Sequence, residues 1–123
     1  MHQLYLEGIP VNHQGQGPFW KGIAVKHFPS VIGRQSECDH CLKFAFISRR
    51  HCAFFVHDDR IWVQDLGSQN GTLLNGERLV DARPIRDGDR LDLAYLSFHV
   101  RLGATAPRED SITTIQAAGS PVS

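Results

Sequence analysis

The stretch His51-Cys52-Ala53-Phe54-Phe55-Val56-His57, followed by Asp58-Asp59 and then Arg60-Ile61-Trp62-Val63-Gln64-Asp65-Leu66, decides the fold class. Cys52, Phe54 and Val56 alternate with His51, Ala53, Phe55 and His57, and the alternation resumes after Asp58-Asp59. A period of two residues places one set of side chains on each face of a strand. An Asp-Asp pair between two such runs is a turn signal, so this stretch predicts a β-hairpin with one buried face.

Working outward, the same grammar recurs. Asn75-Gly76 separates Thr72-Leu73-Leu74 from Glu77-Arg78-Leu79 and predicts a second hairpin, because Asn-Gly favours the left-handed conformations of a type I′ turn. Asp87-Gly88-Asp89 marks a further turn, and 90–102 alternate through Leu91, Leu93, Leu96, Phe98 and Val100 as a last strand or pair of strands. Towards the N-terminus, strands are expected over 3–11, 19–28 and 30–34, with a polar, Gly-rich loop over 12–18 and an irregular segment over 35–47. Trp20 and Trp62 sit in alternating runs and are expected in the core. No long stretch carries a 3.6-residue apolar period. The expectation is an all-β protein of two packed antiparallel sheets.

Composition bounds the rest. The chain has 123 residues, 41% of them hydrophobic and 21% charged, enough for one globular core. Formal net charge is zero, which leaves no broad basic field for nucleic acid or anionic lipid. No apolar run is long enough to cross a bilayer as a helix, and the first residues lack the pattern of a signal peptide. A cytoplasmic protein with no membrane or nucleic-acid partner is expected. From about Gly103 onward Ala, Thr, Ser, Pro and Gly dominate, so the reading is a domain over 1–103 and a flexible tail over 104–123.

Three cysteines, Cys38, Cys41 and Cys52, point to reduced thiols. Cys38 and Cys41 form a CxxC, but zinc needs four ligands, and the further candidates His40, Cys52 and His57 do not complete a usual spacing. No redox-type βαβ pattern surrounds the pair. Neither metal nor cofactor is expected. Cys52 reads as a small apolar residue and the other two as loop thiols.

The residues that carry chemistry fall in loops or at strand ends: Gly33-Arg34, Ser48-Arg49-Arg50-His51, Ser68-Gln69-Asn70-Gly71-Thr72 and Asn75-Gly76. Sandwich loops gather at the ends of the sheets, so segments far apart in sequence can share one surface. A guanidinium offers a planar fork of donors to phosphate oxygens, a hydroxyl adds a short donor, and a carboxamide both donates to and accepts from an extended backbone. Ser48 and His51 lie three apart, as a nucleophile and base would. No Gly-x-Ser-x-Gly elbow accompanies them and no acid is placed to orient the imidazole, so no catalytic residue is expected.

In order and spacing these elements, with Asp87-Gly88-Asp89, resemble the forkhead-associated (FHA) family. Its pattern runs Gly-Arg, Ser-Arg-x-His, Ser-x-Asn-Gly-Thr, Asn-Gly and Asp-Gly-Asp, and the resemblance covers about residues 20–100. It implies an eleven-stranded β-sandwich of two twisted, mostly antiparallel sheets, and a non-enzymatic module that binds phosphothreonine peptides in Ser/Thr kinase signalling. Arg34, Ser48 and Arg49 would then serve the phosphate, and Gln69 and Asn70 the peptide. Gly33, His51, Gly71 and Asn75 would support the loops. Ala94 stands where the family often has Gly, and Gln69 where it often has a small hydroxyl residue. The implied partners are phosphothreonine-bearing substrates of Ser/Thr kinases. Two alternatives remain at this point: an FHA-like interaction domain that acts without phosphate, and self-association through the tail. Thr113 and Thr114, after Glu109-Asp110, are candidate phosphorylation sites for the second.

Overall fold

A computed structural model describes residues 2–9 and 22–103. The expected loop over 12–18, Trp20, the tail over 104–123, and Thr113 and Thr114 with it, lie outside the described residues. Eleven strands are present: β1 (Leu4–Ile9), β2 (Gly22–Val25), β3 (Ser30–Gly33), β4 (His40–Cys41), β5 (Cys52–His57), β6 (Arg60–Asp65), β7 (Thr72–Leu74), β8 (Glu77–Arg78), β9 (Arg83–Pro84), β10 (Arg90–Leu93) and β11 (Leu96–Leu102). They form a six-stranded sheet ordered β2-β1-β11-β10-β7-β8 and a five-stranded sheet ordered β4-β3-β5-β6-β9. All pairings are antiparallel except β3 with β4.

Two-residue periodicity builds the core. Leu4 and Leu6, Ile23 and Val25, Leu91 and Leu93, and Leu96, Phe98 and Val100 face inward from the larger sheet, and Ile32, Cys52, Phe54, Ile61 and Val63 from the smaller. Leu42, Ile47, Leu79 and Ile85 add buried side chains from segments between the strands. Burying a side chain of this size contributes roughly 1.5–3 kcal/mol before ordering entropy is counted.

The two central hairpins form around the expected turns. Phe54 pairs with Val63 and His57 with Arg60 across Asp58-Asp59, and Leu74 pairs with Glu77 across Asn75-Gly76. Asn75 and Gly76 have φ of 52° and 85°, the left-handed pair of a type I′ turn. The segment 90–102 resolves into two strands, paired from Arg90–His99 to Leu93–Leu96.

Several expectations are corrected. Trp62 is half-buried outside the core: Ile61 and Val63 point inward, so the residue between them must point outward, where its ring stacks on Phe55 with centroids 6.3 Å apart. The buried face of β5 also stops short of its end, because Val56 is 38% exposed. The segment 35–47 is not wholly irregular, since His40–Cys41 lies parallel to Ile32–Gly33. Cys38 is a loop thiol as expected, though buried, whereas Cys41 belongs to β4. The strands expected over 3–11 and 19–28 occupy Leu4–Ile9 and Gly22–Val25 among the described residues. Cys52 is the small, fully buried residue expected, and burial pushes its thiol pKa far up.

Candidate phosphopeptide site

Strand β3 ends at Gly33, and Arg34 begins the turn away from the sheet. Gly33 is required here by space. A Cβ at this position would lie 2.1 Å from the carbonyl oxygen of Arg49 and 2.8 Å from Cys38 Sγ. This close approach brings the segments 33–35 and 47–49 together. Arg34 N–H donates to Ser48 O at 2.9 Å, Gln35 N–H to Arg49 O at 3.2 Å, and Arg34 Nε–H to Ile47 O at 2.9 Å. With Nε engaged, the guanidinium plane is fixed, and its two terminal nitrogens have no partner among the described residues.

The third segment joins through side chains. Ser48 Oγ accepts the backbone N–H of Gln69 at 2.9 Å, so its own O–H remains to donate outward. Asn70 Nδ2 donates to Phe46 O at 2.9 Å, which leaves Asn70 Oδ1 as an acceptor on the exposed side. Arg34, Ser48, Arg49, Arg50 and Gln69, with 45–47 and Gly67 as walls, line one open groove of about 430 Å³. Asn70 stands beside this groove, attached to its Phe46 wall.

His51 is the support within the site. Ser48 N–H donates to His51 Nδ1 at 3.1 Å, so the ring proton resides on Nε2, which donates to Gly71 O at 2.9 Å. The imidazole is fully buried, and burial lowers its pKa below the ordinary value. Both nitrogens are committed to backbone groups, and neither is bonded to the Ser48 hydroxyl. Gly71 has φ of 91°, a conformation that suits glycine, and its carbonyl also accepts Ala94 N–H at 3.0 Å.

Sequence reasoning missed Asp65. Its Oδ2 accepts Gly67 N–H at 3.0 Å and Ser68 N–H at 2.9 Å, while Oδ1 accepts Ser68 Oγ at 2.5 Å and Thr72 Oγ1 at 2.6 Å. Ser68 Oγ in turn accepts Gly71 N–H at 3.0 Å. Burial acts to raise the Asp65 carboxyl pKa, but these donors outweigh it and hold the group below its ordinary value. Asp65 thus folds the 67–72 loop into shape from below. The available signal was an Asp two residues before Gly-Ser, the spacing of an Asx turn. Asn75 Nδ2 donates to Asp89 Oδ1 at 3.0 Å, and its Oδ1 accepts Arg90 N–H at 2.9 Å.

The CxxC thiols also serve this end of the sandwich. Cys38 Sγ donates to Arg49 O at 3.2 Å and Cys41 Sγ to Arg34 O at 3.3 Å. Among the described residues no group of three or more His, Cys, Asp or Glu could hold a metal ion, and no helix is long and apolar enough to cross a membrane.

The FHA domain family model matches residues 30–94, which span β3 to β10 and every segment of the groove. The chain belongs to the FHA family. FHA domains are interaction modules. The chain is 33% identical over 88 residues to the human angiogenic factor with G patch and FHA domains 1, covering 62% of this chain and 12% of that protein. It is 31% identical over 81 residues to the glycogen accumulation regulator GarA of Mycobacterium tuberculosis, covering 66% of this chain and 49% of GarA. It therefore spans about an eighth of one relative and half of the other. Among solved structures, Mycobacterium tuberculosis EmbR in complex with a low-affinity phosphopeptide aligns at a TM-score of 0.71 and 25% identity over 86% of this chain and 26% of EmbR. The FHA domain of MEK1 in complex with a phosphothreonine peptide of HOP1 aligns at 0.61 and 28% identity, over 82% of this chain and 97% of that domain.

Proposed function

We propose that this FHA domain binds phosphothreonine peptides of Ser/Thr kinase substrates at the groove between residues 33–35, 45–50 and 67–71. The observation that carries the reading is the convergence of Arg34 and Ser48. Their backbones are joined by a 2.9 Å hydrogen bond, and the guanidinium terminus and the hydroxyl proton are both left uncommitted. A phosphate of about −1.5 to −2 charge takes charge-assisted hydrogen bonds from such groups. Arg49 adds a second cation, and Gln69 and Asn70 present polar side chains to a peptide backbone beside the phosphate. The binding unit is the 1–103 segment, acting in the cytoplasm without cofactor.

Binding proceeds without reaction. A hydrolytic Ser48 would need a base on its hydroxyl, whereas His51 accepts from the Ser48 backbone amide and donates to Gly71 O. The test is titration of the domain with one peptide in phosphothreonine, phosphoserine and unmodified forms. Binding of the first and not the last is expected. Equal affinity for all three would replace this reading with phosphate-independent docking.

A further inference from the structure

Three arginines line the groove. Arg34, Arg49 and Arg50 contribute three positive charges to one wall, and no Asp or Glu lines it. Elsewhere among the described residues three of six arginines have carboxylate partners, Arg83 with Glu77 at 2.8 Å, Arg90 with Asp92 at 3.1 Å and Arg101 with Glu7 at 2.9 Å, whereas Arg60, Arg78 and Arg86 do not. Among the described residues none of the three groove arginines lies within ion-pair distance of a carboxylate. Arg50 is exposed and makes no side-chain hydrogen bond there, so it holds no loop in place. Its charge opposes the effect of burial on the Cys38 thiol. A phosphate of at most about two negative charges is balanced by two guanidiniums, and the third is surplus. An uncompensated cation on the rim favours a partner whose own charge answers it.

We infer that the groove reads two anionic groups, and that Arg50 selects peptides in which a second negative charge stands near the phosphothreonine. This rests on the phosphothreonine reading above and deepens it. The second charge is an Asp or Glu side chain or a second phosphate; both offer oxygens to the same fork. Arg50 is then a specificity-determining residue, distinct from the Arg34 and Ser48 pair.

The test uses fluorescence anisotropy with a single-phosphothreonine peptide, whose neighbouring positions on each side carry glutamine, glutamate, phosphothreonine or lysine in turn. The wild-type domain is expected to bind the glutamate peptide about two- to fivefold more tightly than the glutamine peptide, the range of one exposed ion pair. A second phosphate should give a larger ratio, and both ratios should shrink as salt is raised. In Arg50→Gln the glutamate-to-glutamine ratio should fall to one, and in Arg50→Glu it should invert in favour of lysine. Melting curves of both variants establish that the fold persists. Wild-type affinities that ignore the flanking charge, or a ratio unchanged in Arg50→Gln, overturn the inference and leave the phosphothreonine reading standing. Failure of every phosphorylated peptide to bind the wild type overturns both.

Discussion

His51 Nε2 donates to the carbonyl oxygen of Gly71 across twenty positions of sequence at 2.9 Å. Through Nδ1 the same ring takes the amide of Ser48. One buried imidazole thus sets the spacing between the loop that carries the hydroxyl and the loop that carries Gln69 and Asn70. Only neutral imidazole can do both, because the charged ring has two donors and no acceptor.

Stability should therefore depend on pH through His51. Its folded pKa is lowered by burial, so as pH falls the unfolded chain takes up the proton first. The contribution is fully present above the ordinary histidine value of about 6.5 and is lost as pH falls towards and through the folded value. Urea denaturation midpoints should drop between pH 7.5 and 5. His51→Ala should flatten this part of the profile while lowering stability at neutral pH by roughly 2–4 kcal/mol, through the cavity and the two unpaired backbone groups.

Arg34→Ala should weaken phosphopeptide binding by ~2–5 kcal/mol, since it strips the partner from a partly desolvated dianion. Arg34→Lys should restore only part, because an ammonium cannot hold Ile47 O and the phosphate in one plane. Ser48→Ala should cost ~1.5–3 kcal/mol, about one hydrogen bond to a charged group. Isothermal titration with a single phosphothreonine peptide checks all three, and wild-type affinity in Arg34→Ala would remove Arg34 from the site.

Asp65→Asn should loosen the 67–72 loop. The amide keeps one acceptor oxygen in place of a carboxylate taking four bonds, and a loss of roughly 2–4 kcal/mol in folding free energy is expected. Hydrogen exchange should quicken at the Gly67, Ser68 and Gly71 amides, which this network holds, and peptide affinity should fall although Asp65 does not line the groove. Unchanged exchange at these amides would contradict the role given to Asp65.

Ala94→Gly should stabilise the domain. Ala94 holds φ of 54° in the tight connection between β10 and β11, a left-handed conformation that strains a Cβ. Relief of that strain, less the added entropy of glycine in the unfolded chain, should raise stability by about 0.5–1 kcal/mol, visible as a higher denaturation midpoint.

How much of this was legible in the sequence depended on whether a residue's neighbours along the chain or across the fold decide its place. The hairpins over 52–65 and 72–78 were readable because alternation and turn chemistry are local. Strands β4 and β9 were not, because two residues such as His40–Cys41 carry no period and become a strand only beside Ile32–Gly33. Trp62 was misassigned for a related reason: size argued for the core, while the parity fixed by Ile61 and Val63 put it outside. At the site, the order of motifs located Arg34, Ser48, Arg49 and Gln69 on one groove. The two CxxC thiols act on backbone groups of other segments, which nothing in their residue type announces, whereas Asp65 carried a local signal in its Asx-turn spacing to Gly67 and Ser68.

The pairing of Leu4 with Leu102 is extended by Gly103 N–H on Gln3 O. Strand β11 runs from there roughly 20 Å to Leu96, beside Tyr95, whose ring meets Phe46 on the groove wall at 5.2 Å. Gln3 and Gly103 thus lie side by side, about the length of β11 from the groove wall. Substitutions along this pairing therefore reach the frame of the larger sheet without touching the segments that line the groove.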